Sequence, residues 1–258
     1  MKAIRVLLVI ICSSVLLLSC SWWNKDDDDD NSPFKGMSAK QLYTEAKQAI
    51  KKEQYTAASK RLEALETMYP FNDYAEKAQM ELVYTYYKQE DYPSCAATAE
   101  RFIHLYPRAK HVDYAYYMKG LANFQQLRGA LSQMFPIDES WRDPGTQNQA
   151  YADFSALIQR FPDSKYRNNA VQRMIYLRNM FAQHEYNIAK YYYDRRMYVA
   201  AVGRANTLIQ TYPQAPSVQS ALMLAYQANQ KLGLYAAAKE VATVYQATYH
   251  KSIPTGTN

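Results

Sequence analysis

The sequence predicts an all-α protein, a solenoid of five stacked helix pairs. Three observations carry this prediction. Apolar residues recur at a helical period in five windows that align with one another, and four of the windows end in an aromatic residue followed by proline. No segment alternates apolar and polar residues as a half-buried strand does, and only 7 of the 258 residues are glycine.

The chain begins with a segment typical of a secretion signal. Met1–Arg5 is basic, and the apolar run Val6–Leu18 is too short to cross a bilayer. The run ends in Leu17-Leu18-Ser19-Cys20, which resembles a bacterial lipobox. We therefore expect residues 1–19 to be removed and Cys20 to carry an N-acyl and an S-diacylglycerol lipid. Ser21 follows this cysteine, at the position where an aspartate usually signals retention in the inner membrane. We therefore expect the protein in the outer membrane. The alternative is an ordinary secretory signal with a chance cysteine.

Residues 20–38 are predicted to be the lipidated cysteine and a flexible acidic tether. Asp26–Asp30 is a block of five like charges, which favours a solvated spacer over a metal site. Once Cys12 leaves with the signal and Cys20 is lipidated, Cys95 is the only cysteine left, so no intramolecular disulfide can form. We expect Cys95 to be a small core residue and not a nucleophile.

The five windows begin at Tyr55, Tyr92, Gln147, Tyr198 and Tyr235. Each carries a small residue three positions on and an apolar residue seven and ten positions on. Fourteen positions on, every window has an aromatic residue, and a proline follows in the first four, where it ends the helix. The aromatic residues are Tyr69, Tyr106, Phe161, Tyr212 and Tyr249, and the prolines are Pro70, Pro107, Pro162 and Pro213.

A second helical pattern precedes each window. The predicted helices are Ala39–Lys51, Tyr74–Lys88, Val112–Gln126, Asn169–Phe181 and Val218–Lys231. A unit of helix, turn, helix and proline, with small residues where the helices touch, resembles the tetratricopeptide repeat. The alternative, an irregular helical bundle, does not account for five windows in register.

The middle repeats are longer than the outer ones. The outer windows start 37 residues apart, whereas the two middle spacings are 55 and 51. We assign the first excess to an insertion loop in repeat 3, Leu127–Thr146, and the second to an extra helix in repeat 4, Glu185–Arg196. The predicted units are therefore 39–126 for the N-terminal repeats and the start of repeat 3, 127–146 for the loop, 147–250 for the C-terminal repeats and 251–258 for a disordered tail.

Composition and motifs argue against catalysis. The chain has no glycine-rich phosphate-binding motif, and none of its four histidines has a second ligand at metal-binding spacing. Without Lys2 and Arg5, 28 basic and 24 acidic residues remain, too weak a balance for a nucleic-acid partner. The sequence therefore predicts a binding protein without an enzyme activity, a metal or a bound cofactor.

Several short motifs together resemble the BamD family, lipoproteins of the machinery that assembles β-barrels in the outer membrane. The resemblance covers nearly the whole mature chain. The motifs are Leu65-Glu66 with Tyr69-Pro70-Phe71 and Tyr74, Tyr84–Lys88, Glu100–Ile103 with Pro107, Val112–Tyr114, Tyr117–Leu121, Arg142–Pro144, Glu185-Tyr186 and Tyr191-Tyr192.

The resemblance implies a non-catalytic scaffold on the periplasmic face of the outer membrane. Such a scaffold binds the periplasmic domains of the barrel protein BamA and small accessory lipoproteins, and it receives unfolded barrel proteins near its N-terminal repeats. Carried over by position, an N-terminal groove would be lined by Tyr69, Phe71, Tyr74 and Arg101. Its aromatic side chains would take the C-terminal ring of a barrel protein and its arginine the carboxylate. For the Tyr69 ring we favour a core position, because the repeat itself requires an aromatic residue there.

The family also implies a contact with BamA in the C-terminal repeats. Arg204 aligns with the arginine that forms an ion pair with the barrel protein, and Arg195 and Arg196 are basic neighbours. The alternative for Arg204 is a solvated charge on the helix surface that contributes little to stability or binding. The competing function is that of a repeat lipoprotein that coordinates cell-wall synthesis or envelope constriction.

Overall fold

The computed structural model describes residues 33–126, 140 and 145–254. Within these residues the chain forms ten helices and no strand, which confirms the predicted all-α fold. We number them α1 (Ala39–Lys51), α2 (Tyr55–Met68), α3 (Ala75–Lys88), α4 (Tyr92–Leu105), α5 (Val112–Gln125), α6 (Gly145–Arg160), α7 (Arg167–Asp194), α8 (Tyr198–Thr211), α9 (Ser217–Lys231) and α10 (Tyr235–Tyr249).

The helices pack as a solenoid of five pairs. Each helix contacts the one before it and the one after it in the chain, and the first helices of neighbouring repeats also touch, α3 with α5 and α7 with α9. Such nearest-neighbour contacts are typical of repeat proteins. None of the helices described is long and apolar enough to cross a membrane.

The core consists of the stripes that the sequence predicts. The small residues of the five windows are all buried, and so are the larger apolar residues that follow them in the first four windows. The small residues are Ala58, Cys95, Ala150, Ala201 and Ala238. Small side chains let paired helices approach closely. One such close approach brings Gly120 of α5 against Phe154 of α6, where a Cβ on the glycine would lie 2.6 Å from the phenylalanine Cε1.

The turn within a helix pair has a feature that the sequence pattern did not reveal. In each of the four pairs whose inner turn lies among the described residues, the residue two positions before the second helix is in the left-handed region: Glu53, Glu90, Arg196 and Gly233, with φ between 58° and 73°. Only Gly233 adopts this conformation without steric cost. The other turn, between repeats, follows the proline rule. The residue before Pro107, Tyr106, has φ of −127°, because a residue before proline avoids the helical region.

The insertion in repeat 4 differs from the prediction. Glu185–Asp194 is helical as expected, but it continues the preceding helix, so that α7 is a single helix of 28 residues and no separate extra helix exists. We predicted that the first helix of repeat 4 ends at Phe181 because the repeat pattern ends there. However, Phe181, Ala182 and Ala189 are all buried along one continuous helix, so the packing favours continuation.

The insertion loop in repeat 3 lies mostly outside the described residues. One of its residues, Ser140, is buried against α7. The ring Nδ1 of His184 lies 2.7 Å from the Ser140 carbonyl oxygen, and the Asn187 amide donates to the Ser140 hydroxyl at 2.7 Å. The two insertions therefore meet at Ser140. Helix α6 begins at Gly145, two residues before Gln147, where the predicted helix starts.

Both ends of the solenoid are covered by flanking segments. Before α1, the Phe34 ring lies beneath the Arg61 guanidinium, and the Met37 carbonyl accepts a hydrogen bond from the Tyr69 hydroxyl at 2.8 Å. After α10, Ile253 is buried in the C-terminal core. The prediction of a disordered tail from residue 251 is therefore wrong for Ile253, because its apolar side chain packs into this core. Residues 255–258, like the tether up to residue 32 with Cys20, lie outside the described residues.

Candidate functional site

A pocket of about 180 Å³ opens between the end of α2, the start of α3 and the end of α4. We call it the N-terminal pocket. Its lining residues are Glu66, Pro70, Ala75, Gln79, Arg101, Leu105 and Tyr106. The walls are apolar and aromatic, and Leu105 is 60% exposed although it is an aliphatic residue. A concave apolar surface with a few polar groups is typical of a site for a small segment of another molecule.

Arg101 and Glu66 form an ion pair in this pocket. The Arg101 Nη2 donates to the Glu66 Oε2 at 2.7 Å, across the contact between α4 and α2. The arginine side chain is half exposed and the glutamate mostly buried. Burial raises the pKa of Glu66 above its ordinary value, although the charge and hydrogen bond of Arg101 act in the opposite direction.

The structure separates the four residues predicted for the N-terminal groove. Arg101 lines the pocket, and Phe71, whose side chain is fully exposed, follows the lining residue Pro70. Tyr69 does not line the pocket, because its ring packs in the first repeat and its hydroxyl donates to Met37. Tyr74 also turns to the first repeat, where its ring centroid lies 5.2 Å from that of Tyr43.

Of the seven lining residues, the predicted groove contained only Arg101, and it lacked the apolar surfaces of Leu105 and Tyr106. Tyr106 occupies the aromatic column that ends each second helix, so we assigned it to the architecture. The structure shows that one residue serves both purposes: its ring packs 5.2 Å from Phe102 and its side chain still lines the pocket. No signal in the single sequence separates Tyr106 from Tyr69 in the same column.

The predicted basic residues of the C-terminal repeats lie on an open surface. Arg204 is on α8, 45% exposed, with its Nη1 3.3 Å from the Glu185 Oε2 on α7. Arg195 follows α7, with its guanidinium carbon 4.2 Å from the ring centroid of Tyr191, and Arg196 is in the left-handed turn with φ of 62°. The three arginines thus belong to neighbouring parts of α7, α8 and the turn between them.

Exposed apolar residues accompany these arginines. Met197 is 51% exposed and Val199 is 72% exposed, both at the start of α8. At the start of α10, Leu234, which is equivalent to Met197, is 52% exposed, and Tyr235, which is equivalent to Tyr198, is 72% exposed. We call Arg195, Arg196, Met197, Val199 and Arg204 the C-terminal surface. Exposed apolar side chains near arginines are typical of protein interfaces, and no pattern in the sequence distinguishes Met197 and Val199 from core residues.

The other polar clusters have structural partners. Asp153 is buried and receives hydrogen bonds from Asn123 at 2.6 Å and Gln149 at 3.0 Å, while the Lys119 ammonium lies 3.1 Å away and also pairs with Glu100. Burial alone would lower the pKa of Lys119, but the two carboxylates outweigh it and raise the pKa. This network joins α4, α5 and α6.

Cys95 is a core residue, as predicted. Its side chain is fully buried, and burial raises the pKa of the thiol to about 12, which keeps it protonated and unreactive at neutral pH. Across the described residues, no group of three or more histidine, cysteine or acidic side chains is placed to hold a metal ion.

Comparison with known proteins gives a consistent picture. The model of the YfiO family, described as an outer membrane lipoprotein, matches residues 35–244. The chain is 39% identical to the outer membrane protein assembly factor BamD of Vibrio cholerae over 75% of this chain and 80% of that protein. It is 37% identical to the BamD of Xylella fastidiosa over 77% of this chain and 68% of that protein.

The BamD of Neisseria meningitidis serogroup A is 35% identical to this chain, over 83% of the chain and 80% of that protein. Residues 35–244, which the family model matches, contain both the N-terminal pocket and the C-terminal surface. The match of sequence over most of the chain shows that this protein belongs to the YfiO/BamD family of outer membrane lipoproteins.

Proposed function

We propose that this protein is a non-catalytic scaffold of the outer-membrane β-barrel assembly machinery. It holds the periplasmic domains of BamA through its C-terminal surface, supports accessory lipoproteins, and receives unfolded barrel proteins at its N-terminal pocket. Family membership supports this proposal, since the relatives are named outer membrane protein assembly factors.

One observation carries the proposal. The N-terminal pocket lies between α2, α3 and α4, and the C-terminal surface lies on α7 and α8, with α5 and α6 between them in one continuous solenoid. Because each repeat packs on the next, two partners bound at these places are held at a fixed separation. A scaffold that hands one protein to another requires such an arrangement.

The two places fit different partners. The N-terminal pocket offers an arginine at one end and the apolar surfaces of Leu105 and Tyr106, with Phe71 beside it, so it suits a short segment that ends in an aromatic residue and a free carboxylate. The C-terminal surface is open and suits a folded domain with an acidic group opposite Arg204.

The lipid anchor completes the proposed function. We propose that Cys20 carries the lipid and that residues up to 38 connect it to the first repeat, on the periplasmic face of the outer membrane. Cys20→Ala should move the protein into the soluble periplasmic fraction, because an N-acyl and a diacylglycerol group together anchor a protein stably. Tight membrane attachment of this variant would mean that the lipobox prediction is wrong or that partners alone hold the protein there.

Affinity purification of the tagged full-length protein from solubilised outer membranes tests the assembly function. We expect a large β-barrel protein and small lipoproteins to be recovered with it in fixed ratio. Recovery of cell-wall synthesis enzymes without a β-barrel protein would contradict the proposal and favour the alternative function in cell-wall synthesis or envelope constriction.

A further inference from the structure

Arg101 already holds a carboxylate in the N-terminal pocket. Of the seven lining residues, Arg101 and Glu66 alone carry a charge, and they are bonded to each other at 2.7 Å. A ligand carboxylate that binds Arg101 in the geometry of an ion pair therefore competes with Glu66 for the same guanidinium. This inference rests on the proposed function of the pocket, and it concerns how the pocket is regulated.

Glu66 has few other means of stabilising its charge. Arg101 supplies the hydrogen bond to its carboxylate, and the side chain is only 22% exposed. Glu63, one turn earlier on α2, is a like charge that opposes ionisation, and the Tyr86 hydroxyl from α3 donates to Glu63 at 2.9 Å and not to Glu66. A Glu66 that loses Arg101 is thus a mostly buried carboxylate beside another carboxylate.

We infer that Glu66 is a built-in competitor for Arg101, which a peptide's terminal carboxylate must displace before the peptide occupies the pocket. When the peptide carboxylate takes Arg101, the Glu66 carboxylate loses its counter-ion and takes up a proton from solvent to become the neutral acid. One ion pair is exchanged for another, and one proton is bound from water for each peptide bound.

This exchange makes the pocket selective. Replacing one carboxylate by another at Arg101 gains little by itself, so a small anion has no advantage over Glu66. A segment that also buries an aromatic ring against Leu105 and Tyr106 gains the apolar contact that tips the balance. Glu66 is therefore a specificity-determining residue: it favours a carboxylate joined to an apolar side chain over either feature alone.

The exchange also predicts a pH dependence with a definite sign. Burial raises the pKa of Glu66, and loss of the Arg101 charge raises it further. Because peptide binding is coupled to proton uptake, the free-carboxylate peptide binds more tightly as the pH falls from 8 towards 5.5. The charged and titratable groups around Glu66 are Glu63 on its own helix, Tyr86 on α3, and Arg101 and Tyr106 on α4. His104, also on α4, bonds to Glu100 and not to Glu66.

The test measures binding of a fluorescent ten-residue peptide that ends in phenylalanine, with either a free carboxylate or an amide at its C-terminus. The full mature protein is purified in detergent, and fluorescence anisotropy gives the dissociation constant between pH 5.5 and 8. At pH 8 we expect Glu66→Gln to bind the free-carboxylate peptide about fivefold more tightly than the unchanged protein, as loss of a competing ion pair of about 1 kcal/mol implies.

Two further readouts separate competition from a merely structural effect. Glu66→Gln should lose the pH dependence, and it should bind the amidated peptide no differently from the unchanged protein. Glu45→Gln is the matched control, because Glu45 pairs with Arg61 at 3.1 Å across α1 and α2, outside the pocket. It should behave as the unchanged protein does with both peptides.

The outcomes distinguish this inference from the proposed function. If Arg101→Gln and amidation both weaken binding while Glu66→Gln changes neither the affinity nor the pH profile, Glu66 is not a competitor, although the pocket still binds peptides. If neither Arg101→Gln nor amidation has an effect, the pocket does not take the peptide carboxylate, and both proposals fail. Circular dichroism melting of each variant verifies that the fold is intact.

Discussion

The N-terminal pocket and the C-terminal surface both contain a partly exposed arginine, Arg101 and Arg204, but they hold it differently. Arg101 is at the edge of a concavity and is bonded at 2.7 Å to a mostly buried glutamate. Arg204 is 45% exposed on α8, at 3.3 Å from Glu185, and the start of the same helix exposes the apolar residue Val199. In our proposal, the first arrangement selects a ligand by exchange of one carboxylate for another at Arg101, and the second binds a folded domain over a larger exposed surface.

The difference shows how one repeat supplies two kinds of site. In the N-terminal half, Arg101 lies one helical turn before Leu105 and Tyr106 at the end of a second helix, so the turn between repeats closes the pocket. In the C-terminal half, Arg195, Arg196 and Met197 lie in the turn within a pair, directly after the extension of α7 that carries Glu185. The type of site depends on which turn carries the charges.

Charge reversal at Arg204 should have the largest effect on this comparison. Arg204→Glu places a second carboxylate next to Glu185 and removes a cation from the C-terminal surface. We expect a loss of about 2–5 kcal/mol in binding of the barrel partner, which abolishes co-purification, with unchanged helical content. Peptide binding at the N-terminal pocket should not change.

Two controls sharpen this result. Lys60→Glu reverses an exposed charge on α2, at the other end of the solenoid, and should leave co-purification unchanged. The double variant Glu185→Arg with Arg204→Glu restores the internal ion pair in the opposite sense. Unchanged co-purification of Arg204→Glu would remove Arg204 from the interface, whereas rescue by the double variant would show that it acts within the protein alone.

The helices that join the two sites offer the next largest effect. Gly120→Ala places a Cβ 2.6 Å from the Phe154 ring between α5 and α6, so the rings or helices must shift. We expect a loss of about 1–3 kcal/mol in the free energy of unfolding, measured by chemical denaturation.

Gly203→Ala is the matched control, because its added Cβ meets no atom within 4 Å on α8. It should stabilise the protein by about 1 kcal/mol, since alanine is the better helix former. A stabilising Gly120→Ala would mean that α5 and α6 pack with more freedom than the structure gives them, and that the separation of the two sites is adjustable.

The smallest effect concerns the turn that carries the C-terminal arginines. Arg196→Gly should stabilise the protein by about 0.5–1 kcal/mol, because glycine adopts φ of 62° without the steric cost of a side chain. Gly233→Ala at the equivalent turn should do the opposite. If Arg196→Gly weakens co-purification as well, its side chain contacts the partner. A fall in stability would show that the arginine makes contacts that offset its backbone strain.

Much of the fold could be predicted from the sequence. Four of the five first helices end within one residue of their predicted ends, and the small and apolar columns are buried where the period placed them. Less of the candidate site could be predicted from the sequence. Arg101 lines the N-terminal pocket, but Tyr69 and Tyr74 face the first repeat, and Leu105 and Tyr106 were missed. Residues at the same position of each repeat show which type of side chain the helix requires there. They do not show beside which repeat the structure leaves a cavity.

The sequence by itself determined the helical period, the repeat and the proline turns, because these depend on backbone geometry over a few residues. Only the tertiary structure decided that Arg101 meets Glu66 from 35 residues away, that Ser140 meets His184, and that Arg204 meets Glu185. Such contacts depend on how whole helices cross and on which rotamers fill the space between them. Tertiary packing also decided that Glu185–Asp194 continues α7, because side chains on both sides of the predicted repeat boundary are buried along one continuous helix.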